Sequence, residues 1–428
     1  MNSFGLDIGT TKICLTVIDA SGEVLYTKSV ANSYIKEKEQ SPNQILELCK
    51  GLLQDAEKRF GKTKNLGISN QMHGILYVDK EGNPLSNLYT WQNEDGNEQY
   101  KECSYVQYIN NQTGDTVKSG YGLVTHFFLK CNRLVPQNAH KLYTIGDYVA
   151  MKLLGKKETV MHPTNAAPLG LYDIQNECFD VVALHELGIS EDILPCVDYF
   201  TDGFAAIGDN QASYMGAVAD WENSVLLNIG TGSQISLMTD KTKTEFGEIR
   251  PFIKDKKLLV GAARCGGYAY TILSKFFLSV ADMLGVTIDG NIFERMNNAI
   301  KAETNTVFDT TFAGDYIDVS KRATFYNISE NDFTAGDMIL ACQTGIIQEL
   351  KELYDRLGES RSILVASGGG IKKNPYAQKL LWKVFDIKPN ISTVQEEAAR
   401  GAAIYALFNN GYFNSIKDMS YFNNNLRI

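Results

Sequence analysis

Leu6-Asp7-Ile8-Gly9-Thr10-Thr11 is the stretch from which the fold of this chain is read. Phe4-Gly5-Leu6 leads into it and Lys12-Ile13-Cys14-Leu15-Thr16-Val17-Ile18 leads away. Both flanks are patterned as buried strand, so the Asp, Gly and Thr residues fall on a hairpin turn. Gly9 lets backbone amides approach a ligand closely, Thr10 and Thr11 add hydroxyl donors, and Asp7 adds a carboxylate for a cation. That set suits a phosphate chain with its metal, and an ordinary Gly-Thr hairpin would show the same pattern.

A second copy separates the two readings. Leu227-Asn228-Ile229-Gly230-Thr231-Gly232 repeats the stretch at an offset of 227 − 6 = 221 residues, about half of the 428, and Ile235-Ser236-Leu237-Met238 follows as its outgoing strand. The repeat is too long for a solenoid unit and predicts two similar facing domains, 1–204 and 205–428. Two phosphate-gripping hairpins would then clamp one nucleotide in the cleft between them. Asp7 is replaced by Asn228 in the second copy, so the metal-handling carboxylate belongs to the first.

Three strands (Phe4–Asp7, Lys12–Asp19, Glu23–Ala31), a helix opened by Ser41-Pro42 and a strand at Asn65–Ser69 make the opening half of a ribonuclease-H-like unit. The stretch from 94 to about 200 is mixed, mostly helical, and reads as an insertion shaping a substrate pocket. Helices are predicted over Ala212–Val218, opened by Gly208-Asp209-Asn210-Gln211, and over Tyr268–Leu284, Asp337–Leu357, 376–385 and Glu397–Leu407, with a buried strand at Ile363–Ala366.

Composition narrows the function classes. Apolar content of 44% and charge of 21% are those of a globular protein, and a net charge of −9 argues against general affinity for nucleic acid. No apolar run reaches bilayer length and the N-terminus lacks a signal-peptide pattern. Eight scattered cysteines without a Cys-x-x-Cys pair point away from a disulfide framework and toward a reducing cytoplasm. None of the five histidines has metal-ligand spacing, so no zinc site is expected.

Three segments carry candidate chemistry. Asp209 follows Gly208 at a helix N-terminus, where the dipole and free amides would keep it ionised. There it serves either as an N-cap or as the base that takes a proton from a sugar hydroxyl attacking a γ-phosphate. His73, in Gln71-Met72-His73-Gly74 after a strand, could hydrogen-bond a polyol, with Met72 and Trp91 offering apolar contact. Ser367-Gly368-Gly369-Gly370, between strand and helix, would let an adenine–ribose unit approach the backbone. There is neither a P-loop nor a Gly-x-Gly-x-x-Gly fingerprint after a strand.

Together these segments resemble the FGGY family of carbohydrate kinases, in the actin–hexokinase–Hsp70 superfamily, over roughly residues 3–408. The resemblance implies an α/β fold of two ribonuclease-H-like (actin-like ATPase) domains with an interdomain cleft, the first binding sugar and the second nucleotide. It implies phosphate contacts from Gly9, Thr10, Thr11, Lys12, Gly230, Thr231, Gly232 and Ser233. Gly368, Gly369, Gly370 and Asn374 would hold the adenosine. Gly208-Asp209-Asn210-Gln211 is similar to the family's Gly-Asp-x-Gln segment, whose Asp is the catalytic base. Sugar contacts would come from Gln71, Met72, His73, Trp91, Gln92, Asn165, Asp209 and Asn210, and Mg²⁺ from Asp7 with Asp209. ATP and Mg²⁺ are the implied cofactors, and a homodimer is compatible with the resemblance.

Gln-Met-His-Gly with Thr90-Trp91-Gln92 is most similar to sedoheptulokinases, and the first motif is shared with xylulokinases. The Arg that many members carry after this Trp-Gln is missing, the run here being Asn93-Glu94-Asp95-Gly96-Asn97. A catalytically inactive sugar sensor is the alternative of another class, and an actin- or Hsp70-like ATPase acting on proteins is a third.

Overall fold

In the computed structural model the described residues are 2–62, 64–200, 203–230, 232–263, 265–314, 318, 320–413, 415, 418 and 419; Thr231, expected at the second phosphate turn, lies outside them. Ser3–Ile8 (β1), Lys12–Ile18 (β2) and Val24–Ala31 (β3) form the expected antiparallel meander. β1 and β2 are covered on both faces, which is why they read as nearly unbroken apolar runs. Pro42–Phe60 (α1) starts with Pro42 in its first turn and with the Ser41 hydroxyl accepting from Gln44 N; its stripe of Ile45, Leu46, Cys49, Leu52 and Ala56 is buried. Leu66–Asn70 (β4) runs parallel to β1, and Ala205–Gly208 (β5) parallel to β4, giving the order β5-β4-β1-β2-β3.

The register of the three parallel strands matters most for function. Ile8 pairs with Asn70, and Asn70 with Gly208. The strands therefore end on one level, and the next residue of each is Gly9, Gln71 or Asp209. Asp209–Ala217 (α2) begins there directly.

The second half repeats the arrangement. Its sheet contains Ser224–Ile229 (β6), Ser233–Thr239 (β7), Glu248–Ile253 (β8) and Lys256–Ala263 (β9). After Tyr268–Met283 (α3) and Ala335–Leu357 (α4) come Ile363–Ser367 (β10), Pro375–Phe385 (α5) and Pro389–Ile391 (β11). The order is β8-β9-β7-β6-β10-β11. β6 is antiparallel to β7 and parallel to β10, as β1 is to β2 and β4. Asn228 pairs with Ser367 as Asp7 pairs with Ser69. The second hairpin is tighter: Ile229 pairs with Ser233, whereas Ile8 pairs with Ile13.

The last helix, Glu397–Asn409 (α6), belongs with the first sheet. A Cβ on Gly401 would stand 1.8 Å from Ala212 O, and one on Gly216 2.0 Å from Glu397 O, so only glycine permits α6 and α2 to cross this closely. Arg400 of α6 is fully buried and donates to Gly216 O at 2.8 Å and to Gly22 O at 3.2 Å. The chain accordingly groups into a first unit of residues up to Ala219, with 250–257 and the described residues from Val394 on, and a second unit of 220–249 and 258–393. This differs from the expected division at 204/205. β5 completes the first sheet by pairing with β4, and α6 packs on that sheet, so both lie in the first unit. No helix among the described residues is long and apolar enough to cross a membrane.

Candidate active site

In the first unit the hairpin turn is closed by Gly9 N donating to Lys12 O at 3.0 Å. Asn32, at the end of β3, braces the turn by donating from Nδ2 to Gly9 O at 2.9 Å. Asp7 Oδ1 accepts from Ser69 Oγ at 2.7 Å. Lys12 Nζ pairs with both oxygens of Glu396, at 2.7 and 2.8 Å. Burial pushes the Asp7 carboxyl up to about 7 against the pull of the Ser69 bond, and Asp209 and Glu396 add to the rise while Lys12 opposes it.

Asp209 stands at the first position of α2, with Gly208 as its N-cap. The expectation that the helix N-terminus keeps it ionised meets an opposing effect here. Burial outweighs the amide bond from Asn210 and the charge of Arg250, and raises the carboxyl to about 6. A carboxyl raised to that value is still mostly ionised at neutral pH and able to accept a proton. Both carboxylates retain a partly open face while being surrounded by enough protein to lose much of their hydration.

The segments expected to touch sugar do gather beside this turn. Trp91 Nε1 donates to Thr10 Oγ1 at 3.0 Å, and Thr10 Oγ1 donates to Gln71 Oε1 at 3.1 Å. Met72 is buried, and its Sδ would lie 2.9 Å from a Cβ on Gly208, so it packs at the foot of α2. His73 adopts φ 72°, strained for a non-glycine residue, stacks on Tyr121 at 4.5 Å between ring centroids, and is 2.6 Å from Pro168 O through Nδ1. That contact places the proton on Nδ1 and makes Nε2 an acceptor. Gln92 is exposed and bonded to the Tyr34 hydroxyl, and Asn210 follows Asp209 on α2.

Asn165 does not join them. It is fully buried, and its Nδ2 lies within hydrogen-bond reach of Asn70 Oδ1, Asp147 Oδ1 and Ala206 O, at 3.2, 3.2 and 3.1 Å. It ties the ends of β4 and β5 together from behind, in place of the expected sugar contact. Asn93 and Asp95, where the family's Arg is missing, bond to each other at 2.8 Å.

The second unit holds a cavity of about 580 Å³. Gly230, Gly369, Gly370 and Asn374 line it, whereas Gly232, Ser233 and Gly368 are not among its walls. Gly368 has φ 92°, and a Cβ there would stand 2.4 Å from Ile229 O; Ser233 is buried. The rest of the wall was missed by sequence reasoning: Tyr270 and Phe293 stack at 5.9 Å, and Asn297 Oδ1 accepts from Tyr270 Oη, Gln343 Nε2 and Asn374 Nδ2. These residues come from three separate segments with no motif linking them. Glu396, Arg250 and Asn32 were missed for the same reason, although an acidic residue opposite a turn lysine is a signal worth seeking.

The family model for the N-terminal domain of the FGGY family of carbohydrate kinases matches residues 3–222, and that for the C-terminal domain matches 225–409. The chain belongs to the FGGY family of carbohydrate kinases. The kinase is 24% identical to a xylulose kinase of Staphylococcus xylosus, over 97% of this chain and 92% of that protein. It is 24% identical to the sedoheptulokinase of Mus musculus, over 95% and 97%. In fold it is similar to the ligand-bound xylulose kinase from Lactobacillus acidophilus (TM-score 0.82, 20% identity, 98% of this chain and 91% of that one). It is similar to the same degree to the Plasmodium falciparum glycerol kinase solved with ADP (TM-score 0.82, 19% identity, 98% and 92%).

Proposed function

We propose that this carbohydrate kinase transfers the γ-phosphate of ATP to a terminal hydroxyl of a ketose, with sedoheptulose the first candidate and xylulose the second. The observation that carries this reading is the common level at which β1, β4 and β5 end. It sets the phosphate turn, the Gln71–His73 segment and the carboxylate of Asp209 side by side. Gln71, His73 and Trp91 bind and orient the sugar, and Asp209 takes the proton from its attacking hydroxyl late in the transfer. Lys12 and the turn amide of Thr10 face the developing phosphate charge.

On the second unit, the cavity has the size of a nucleoside site, and its glycine wall with the Tyr270–Phe293 pair suits adenosine. Two partly open carboxylates whose ionisation is opposed by burial are a fitting environment for Mg²⁺, which takes one or two carboxylates plus phosphate oxygens and water. Asp7 would hold it, with Asp209 beside it, and when bound the ion would offset phosphate charge. All eight cysteines are unpaired, which suits a reducing cytoplasm.

Sedoheptulose is preferred to xylulose because Gln71-Met72-His73-Gly74 occurs with Thr90-Trp91-Gln92. The test is ATP turnover with sedoheptulose, xylulose, ribulose, fructose and glycerol in turn. Strong stimulation by one ketose is expected, and turnover indifferent to every sugar would overturn the reading.

A further inference from the structure

Three residues of the first unit close a ring of hydrogen bonds. Thr10 Oγ1 donates to Gln71 Oε1 at 3.1 Å, Gln71 Nε2 donates to Gln40 Oε1 at 2.8 Å, and Gln40 Nε2 donates to Thr10 O at 2.7 Å. Gln40 is fully buried and Gln71 nearly so. Gln40 lies in a two-residue strand, Glu39–Gln40, just before α1 and far in sequence from any motif of the site. Trp91 Nε1 adds a further donor to Thr10 Oγ1, at 3.0 Å.

The ring constrains what Thr10 can do. A hydroxyl has one proton to give. Here that proton goes to Gln71, so it is withheld from a phosphate at the turn. A sugar hydroxyl that donates to Gln71 Oε1 competes with Thr10 for that oxygen and loosens its hold on the Thr10 proton. A phosphate that captures that proton in turn leaves Gln71 Oε1 open to the sugar. Each substrate therefore favours the same opened ring, and the coupling must be equal in both directions.

We propose that Gln40 is a positioning residue that couples the sugar subsite to the phosphate turn: by fixing the Thr10 carbonyl and the Gln71 amide at once, it keeps the Thr10 hydroxyl committed to Gln71 until a sugar arrives. Without Gln40 the Gln71 amide loses its second anchor, and the turn is no longer held closed. The device also disfavours transfer of phosphate to water, because the turn is fully competent only with sugar present. The inference rests on the proposed binding of sugar at Gln71.

The experiment measures the affinity of a non-hydrolysable ATP analogue, with Mg²⁺, in the absence and presence of the ketose that stimulates turnover. In the unmodified protein the sugar should tighten nucleotide binding about fivefold or more. In Gln40→Met, of similar volume, that ratio should fall toward one, and ATP hydrolysis without sugar should rise relative to sugar phosphorylation. Thr10→Ser, which keeps the hydroxyl, should retain the coupling. A purely structural role for Gln40 would lower the thermal midpoint and leave the ratio unchanged, and an unchanged ratio overturns the proposal. Should Gln40→Met fail to fold, amide exchange in the unmodified protein decides: sugar alone should alter protection over 9–12, and no change there overturns the ring. If a ketose drives turnover while the ratio is one, the ring is wrong and the kinase reading stands. If no sugar drives turnover, both fall.

Discussion

The ends of β4 and β10 occupy equivalent places in the two sheets, and they are followed by opposite kinds of loop. In the first unit Ser69 lies beside Asp7, and the chain continues into Gln71-Met72-His73, side chains that are buried, bonded or stacked. In the second unit Ser367 lies beside Asn228, and the chain continues into Gly368-Gly369-Gly370, which add no side chain and leave room for a cavity of about 580 Å³. Under the proposed function, one scaffold would hold a hydroxyl-rich ligand by side chains in one copy and open its backbone to a broad, flat ligand in the other. The strand ends would place the ligands, and the residues after them would decide which ligand is bound.

The largest test of this contrast is at Asp209, which follows β5; β11, in the equivalent place of the second sheet, is followed by Ser392 and not by a carboxylate. Asp209→Asn should lower sugar phosphorylation about a thousandfold while nucleotide affinity stays within a few-fold, as read by a coupled assay and by calorimetry. Turnover retained in that variant would end its assignment as base. Next comes Asp7→Asn, which makes the first hairpin resemble the second at that position. A loss of about a hundredfold in Mg²⁺-dependent turnover is expected, and an unaltered magnesium dependence would show that the two hairpins do not differ in the way proposed.

A smaller effect is expected at Gly368. Its φ of 92° and the 2.4 Å approach of a Cβ to Ile229 O make Gly368→Ala strained. Nucleotide affinity should fall about tenfold with sugar affinity unmoved. Equal losses for both ligands would mean that the two copies are not divided by ligand.

The smallest effect is a pH slope confined to the first unit. With Asp209 raised to about 6, turnover should rise through pH 6 and level off above 7. Stability should move the other way. The folded values of Asp7 and Asp209, about 7 and about 6, exceed the usual 3.8, so the fold binds protons that the unfolded chain releases. That contribution is complete below about pH 4 and is lost as pH climbs through 6 and 7. The ligand-free thermal midpoint should carry this slope and Asp7→Asn should reduce it. An identical slope in the variant would remove Asp7 from the account.

Much of the fold was legible because its signals are local. The two Gly-Thr hairpins, the Ser41-Pro42 helix start and the α4 stripe each reside within a short window, and all are found where the pattern put them. The division of the chain was not legible. Nothing in Ala205-Ala206-Ile207-Gly208 says that it pairs with β4 across the whole 71–204 stretch, and nothing in α6 says which sheet it covers. Site residues followed the same rule. Asp209 and Gln71 lie next to strand ends, where the sequence could single them out as candidates, whereas Glu396, Arg250, Gln40 and the Tyr270–Asn297–Gln343 wall are brought in from distant segments. Asn165 was expected in a loop and lies instead in the short helix Pro163–Ala166, where its amide reaches Asn70 and Ala206, contacts its motif could not show.

The glycine-mediated crossing of α6 over α2 has a consequence for biosynthesis. The opening strands of the first unit precede the whole of the second unit in the sequence, yet the helix that covers them follows it. At ordinary elongation rates the interval between Ala219 and Val394 is on the order of 10 s. During that time β1 and β4 lack the helix that covers them, and the second unit is itself still being made. The nascent first unit must therefore wait, partly uncovered, until α6 is made, and in that period it is exposed to chaperones and to misassembly.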